Sequence, residues 1–144
     1  MDSPFARLTL PARIDSMQAF RDFVRVGAES AGLEAPEMDW LDLVLEEILV
    51  NIARYAYQPE TGDTEVRYAV EQPGKLLVEI SDGGRVFNPL VSDPPVLGGG
   101  LAERPIGGLG VFLVKNIVGS LSYRREQDRN TISFTFPGPN KGGA

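Results

Sequence analysis

Glu46-Glu47-Ile48-Leu49-Val50-Asn51 is the stretch on which the reading of this chain turns. Around it Met38, Leu41, Leu45, Ile48, Ile52 and Tyr55 recur at spacings of three and four, which predicts a helix over 36–57 with these residues as its core stripe. Pro36 suits the first turn, and Pro59 and Gly62 end it. Glu47 and Asn51 interrupt this apolar helix four residues apart, on one face and one turn from each other. Asparagine is a mediocre helix former because its amide competes for backbone hydrogen bonds. A carboxylate and a carboxamide in this arrangement make chemical sense if the first takes a proton and the second holds a hard cation. A solvent-facing role suits Glu46. It suits Asn51 less well, because Asn51 lies among the core positions Ile48, Ile52 and Tyr55. Magnesium accepts hard oxygens and keeps much of its water, so the Asn51 carbonyl plus nucleotide phosphates suffices to hold it. Glu47 would then orient or deprotonate a nucleophile near the terminal phosphate.

Outward from this helix the patterns are shorter. A strand is expected over 5–10, then a helix capped by Asp15 or Ser16 and running to Ala31, with Met17, Phe20, Val24, Ala28 and Ala31 on one face and Gly32 as its stop. Residues 64–71 alternate as a strand, Gln72-Pro73-Gly74-Lys75 turn, and 76–81 are nearly all apolar, as a central strand should be. An irregular stretch from 82 to 108 follows, which with Gly110 holds half of the chain's 16 glycines and reads as a functional lid. A helix over 109–118 and strands over 121–125 and 131–136, joined by the turn Gln127-Asp128-Arg129-Asn130, complete the domain. The order β-α-α-β-β-loop-α-β-β implies an α+β two-layer sandwich: a mainly antiparallel, mixed sheet with helices on one face. Residues 1–137 form one domain in this reading, and 138–144 a flexible tail.

Composition narrows the chemistry. With 144 residues, 42% hydrophobic and 24% charged, the chain can bury a core. No apolar run reaches the ~20 residues that span a bilayer, and the N-terminus lacks a basic, apolar leader, so a cytoplasmic location is expected. Twenty acids against 14 bases give a net charge of −6, unlike a chain that neutralises nucleic-acid phosphates. The absence of cysteine removes disulfides, thiolate metal sites and a cysteine nucleophile. The absence of histidine removes Ser/His/Asp catalysis, histidine metal sites and a phosphohistidine within this chain.

Two glycine-rich segments extend the nucleotide reading. Asp82 directly follows the apolar strand and opens Asp82-Gly83-Gly84-Arg85-Val86-Phe87-Asn88-Pro89. A turn residue is the plain reading. The functional one has its carboxylate accept from the amine of adenine, where guanine presents an acceptor, while glycine lets the backbone approach a flat base. Gly107-Gly108-Leu109-Gly110 at a helix start is a candidate phosphate cradle, whose N–H groups and helix dipole favour an anion. The P-loop signature and the H-R-D and D-F-G set of protein kinases are both missing.

These residues resemble the Bergerat-fold (GHKL) ATP-binding superfamily of gyrase, heat-shock chaperone, histidine kinase and MutL ATP domains. Within it the chain looks most similar to bacterial stand-alone anti-sigma-factor serine/threonine kinases. The asparagine box matches as Glu47-x-x-x-Asn51 with Tyr55-Ala56-Tyr57. The first glycine box matches as Asp82-x-Gly84-x-x-Phe87-Asn88-Pro89, the second as Glu103 through Gly110, and the closing strand as Asn130-Thr131-Ile132-Ser133-Phe134. The resemblance covers essentially the whole chain. It implies that Glu47 is the general base, Asn51 the magnesium ligand and Asp82 the adenine reader, supported by Thr131. It further implies that Gly107, Gly108, Leu109 and Gly110 line the phosphates, with Arg104 in the lid as a candidate partner of the terminal phosphate. Tyr55 stands where the family often has histidine, and is a candidate for stacking or hydrogen bonding at the nucleotide.

The implied cofactors are ATP and Mg2+. The implied activity is phosphorylation of a serine or threonine on a small antagonist protein, with a sigma factor as second partner held by a homodimer. Phe5, Leu8 and Leu10 on the first strand offer that dimer an apolar edge. Two alternatives stand beside this: a non-catalytic ATP-binding partner switch, and the isolated ATP-binding domain of a sensor histidine kinase. A pure binder needs Asn51 but no base, so Glu47 argues for catalysis.

Overall fold

The apolar periods place two helices against one side of a sheet. A computed structural model describes residues 5–57, 61–90 and 114–138. In chain order these form β1 (Ala6–Pro11), a 3-10 turn (Ile14–Ser16), α1 (Met17–Ala31), α2 (Ala35–Tyr55), β2 (Asp63–Gln72), β3 (Lys75–Asp82), β4 (Gly119–Glu126) and β5 (Arg129–Phe136). A helical turn at 114–117 precedes β4. The strands make one sheet in the order β1-β2-β3-β5-β4, with β3 central, as its apolar sequence requires. Each neighbouring pair is antiparallel, so the mixed character expected from the element order is not found among the described strands. The fold is α+β.

Strand alternation separates the two faces of the sheet. Val66, Leu76, Val78, Ile80, Ile132, Phe134 and Phe136 share the face that meets the helices and form one buried cluster with them. The other face carries charge: Glu79 accepts from the Arg67 guanidinium and from the Ser133 hydroxyl, and Arg124 stands 3.9 Å away. β1 lies at the sheet edge, but Leu8 and Leu10 are partly buried against the core. The expected apolar edge is therefore turned inward, and Arg7, Thr9 and Pro11 are the exposed residues of that strand.

α1 buries Met17, Phe20, Val24, Ala28 and Ala31 as its period predicts, and packs over β2 and β3. It ends at Gly32, whose φ of 88° is left-handed and whose N–H returns to the carbonyls of Ala28 and Glu29. Its start differs from expectation. Ser16 makes no side-chain cap, and Asp15 instead forms a bidentate pair with Arg13 beside the 3-10 turn. α2 opens on a capping box between Glu34 and Glu37, with Pro36 in its first turn. Its buried stripe is Leu41, Val44, Leu45, Ile48, Leu49 and Ile52. Tyr55, expected in that stripe, is 44% exposed, because the helix ends there and the ring turns toward Phe87, 5.9 Å away.

The last hairpin turns earlier than the residue types suggest. Glu126 pairs with Arg129, and Gln127 and Asp128 alone occupy the turn, with φ of 53° and 63°. That pattern is a two-residue turn of the type that matches strand twist. Arg129 and Asn130 therefore belong to β5. Gly138, expected to begin the tail, is buried and donates its N–H to Ile117 O at 2.8 Å.

Candidate functional site

The site forms where the C-terminal end of α2 meets the end of β3 and the loop that follows. A helix end leaves carbonyls without intrahelical partners. Here the loop supplies donors: Arg85 N–H reaches Ala56 O at 2.9 Å and Arg85 Nε reaches Tyr55 O at 2.8 Å. A guanidinium at this position also complements the helix dipole. The same guanidinium stands 5.8 Å from the Phe87 ring centre. Tyr57 adds a third tie, accepting from Gly83 N–H at 2.7 Å and donating to Asp63 O at 2.6 Å. Gly84 allows this approach, since a Cβ there would strike the Ala56 carbonyl.

Glu47 and Asn51 lie on the flank of α2 above this loop. The Asn51 Nδ2 donates to Glu47 Oε2 at 3.3 Å and to Pro89 O at 3.0 Å. Both partners are acceptors, so the amide nitrogen must face them and Oδ1 takes the other limb of the carboxamide. Oδ1 is the atom a hard cation would use. Among the described residues no group of three acidic, histidine or cysteine side chains could hold a metal. Such a cation would therefore complete its shell with phosphate oxygens and water, which suits magnesium. Glu47 is half-buried. Loss of hydration raises its carboxyl above the ordinary value, and the Asn51 hydrogen bond opposes that rise.

Asp82 is 1% exposed at the end of β3. Its Oδ1 accepts from Gly84 N–H at 2.9 Å and from Asn130 Nδ2 at 3.0 Å. Among the described residues Oδ2 takes no hydrogen bond, and it is the oxygen available to a base amine. Burial raises the Asp82 carboxyl, while Asn130 and Gly84 pull it back toward the ionised form.

Asn130 is the residue that sequence reasoning missed. Its Nδ2 donates to Asp82 and, at 2.7 Å, to Arg85 O. Its Oδ1 accepts from Tyr123 OH at 2.6 Å, Phe87 N–H at 3.2 Å and Arg125 Nη1 at 3.3 Å, and Arg125 also donates to Gly84 O at 2.8 Å. Asn130 thus holds both ends of the first glycine box. Counting back by twos from Phe136, Phe134 and Ile132 puts it on the core face. The turn assignment of 127–130 concealed that signal.

Thr131, expected to support adenine, is placed differently. It pairs with Ser81 across β3 and β5, one residue out of phase with the Asp82–Asn130 pair. Successive side chains alternate, so Thr131 lies on the opposite sheet face from Asp82. The structure therefore brings Glu47, Asn51, Asp82 and Gly84 to one end of the fold, with Tyr55 at its margin and Thr131 behind it. Arg104, Gly107, Gly108, Leu109 and Gly110, with most of the expected lid and its helix start, lie outside the described residues.

A family model described as the histidine kinase-like ATPase domain matches residues 10–136. No curated protein matches the chain. No helix among the described residues is long and apolar enough to cross a membrane.

Proposed function

Since the chain belongs to the histidine kinase-like ATPase domain family, whose domains bind ATP, usually with magnesium, we propose that it is a protein serine/threonine kinase working as a regulatory switch. Its acceptor in this reading is a small antagonist protein, and its other partner a sigma factor held as an anti-sigma complex. A homodimer is part of the proposal, formed through the backbone edge of β1.

One observation carries this reading above mere nucleotide binding. A half-buried carboxylate, Glu47, stands one turn before the candidate metal ligand and is hydrogen-bonded to it. A cation at Asn51 Oδ1 would neutralise phosphate charge as the leaving oxygen develops it. Asp82, held by Asn130 and Gly84, orients adenine. Asn51, fixed by Pro89 O, sets the phosphate end. Glu47 Oε1 or Oε2 takes the proton of the attacking hydroxyl while its oxygen forms the new bond to the terminal phosphorus and the bond to the departing diphosphate breaks. Desolvation suits Glu47 to the task, because a raised carboxyl is a stronger base.

The test is transfer of labelled terminal phosphate from magnesium–ATP to candidate serine-bearing antagonists, starting with the product of a neighbouring gene. Phosphoserine or phosphothreonine on the acceptor is the expected product. If the wild-type chain binds ATP and transfers nothing, it is a binding switch. Its use as the catalytic part of a sensor histidine kinase would instead show as acid-labile phosphohistidine on a separate helical domain.

A further inference from the structure

α2 carries a second stripe besides the one buried on the sheet. Pro36, Trp40, Leu43, Glu47, Val50 and Arg54 recur at alternating spacings of four and three, so they share the side of the helix turned away from the core. A solvent-facing helix side is normally polar. Here Trp40 is 51% and Leu43 36% exposed, and Val50 is half-buried. Glu47 stands in the middle of these apolar residues. Leu43 is one turn before it and Trp40 two turns, about 10 Å along the axis at ~1.5 Å per residue. Beside Trp40 opens a groove of about 690 Å³, lined by Leu33, Pro36, Ile117 and Phe136 and rimmed by Glu34 and Glu37.

Resting on the kinase reading above, we infer that this stripe is the docking surface for the acceptor segment of the protein that is phosphorylated. The location follows from the chemistry. A hydroxyl that gives its proton to Glu47 must approach that side of α2, and the chain that bears it then crosses Leu43 and Trp40. An extended segment advances ~3.3 Å per residue. Its side chains alternate in direction, so the residues two and four positions from the acceptor serine or threonine face α2 together with it, over Leu43 and at Trp40, and both are apolar. Charge adds a second feature. α2 holds five carboxylates (Glu37, Asp39, Asp42, Glu46 and Glu47) and one cation, Arg54. Arg21 and Arg25 of α1 answer Glu46, Asp39 and Asp42, and with them counted the helix still has five carboxylates to three cations. The docked segment accordingly carries a lysine or arginine beyond its apolar residues.

The probe is a degenerate peptide library with one fixed serine, incubated with labelled magnesium–ATP and the full chain. Wild type should select apolar residues two and four positions from the serine and a basic residue further out. With the best peptide, Trp40→Ala should raise KM about tenfold, with kcat and magnesium–ATP affinity unchanged, and Trp40→Phe should restore most of the loss. Trp40 is the chain's one tryptophan. Its emission should shift to the blue as peptide binds, saturating in step with KM. Transfer without apolar selection, an unchanged KM in Trp40→Ala, or a tryptophan emission that ignores the peptide overturns the docking surface while leaving the kinase intact. No transfer by wild type to any peptide overturns the docking proposal as well. Whether the kinase reading falls with it is decided separately by transfer to whole antagonist proteins.

Discussion

Glu47 and Asn51 meet through one hydrogen bond of 3.3 Å on a half-exposed helix flank. Asp82 and Asn130, at the end of the sheet, are each 1% exposed and share a network that also takes in Gly84, Arg85, Phe87, Tyr123 and Arg125. The difference teaches how the labour is divided. A group that must exchange a proton and meet a cation needs spare valence and access. A group that recognises a base needs a fixed position, and fixing a buried carboxylate requires that its other oxygen be satisfied. The helix half is thus expected to govern rate, and the sheet half affinity and stability.

The sharpest way to break that division is Glu47→Gln. It should lower phosphoryl transfer by roughly 10²–10⁴-fold while magnesium–ATP affinity in calorimetry stays near wild type. Asn51→Ala should lower binding and transfer together, because it removes the metal ligand. Desolvation raises the Glu47 carboxyl, and a base works only when ionised, so the wild-type rate should fall as pH drops through a value above the ordinary ~4.3 of glutamate. Glu47→Gln should lack that limb. A variant that loses affinity as much as rate would merge the two halves into one.

Asn130→Ala should have its main effect on stability. It strands acceptors and donors on both ends of the glycine box, and each buried group left unpaired costs about 1–3 kcal/mol. A lower urea midpoint with an unchanged slope is the expected result. Asp82→Ala comes next. It should weaken ATP about tenfold, near 1.4 kcal/mol, and bring ATP and GTP affinities together, since the acceptor for the adenine amine is gone. Equal affinity of the wild type for ATP and GTP would remove the basis for placing adenine at Asp82.

Local pattern carried the helix half of the site well. The 3.6-residue period located α2 and showed Glu47 and Asn51 as polar interruptions, and the apolar run of β3 ended at Asp82 as expected. Long-range pairing was less legible. Asn130 and Asp82 are 48 residues apart, and only the register of β3 against β5 brings them together. That register depends on where the β4–β5 turn falls. Asp and Asn suggest a turn in sequence, but the backbone spent positive φ on Gln127 and Asp128 and released Asn130 to the strand. Tyr55 was misplaced for a similar reason, because periodicity does not say on which residue a helix ends.

Thr131→Val is the mildest of these tests and the one that separates register from resemblance. If Thr131 supported adenine, removing its hydroxyl would weaken ATP binding severalfold. The pairing of Thr131 with Ser81 instead sets its side chain on the face away from Asp82. No hydrogen bond joins its hydroxyl to another described side chain, and valine keeps the shape and the preference for a strand. ATP affinity should therefore change less than twofold and stability by about 1 kcal/mol or less. The companion variant Asn130→Val, one residue away and on the site face, should disturb both. A reversal, with Thr131→Val damaging ATP binding and Asn130→Val neutral, would mean that β5 is paired one residue out of the register described, and the sheet half of the site would have to be rebuilt around Thr131.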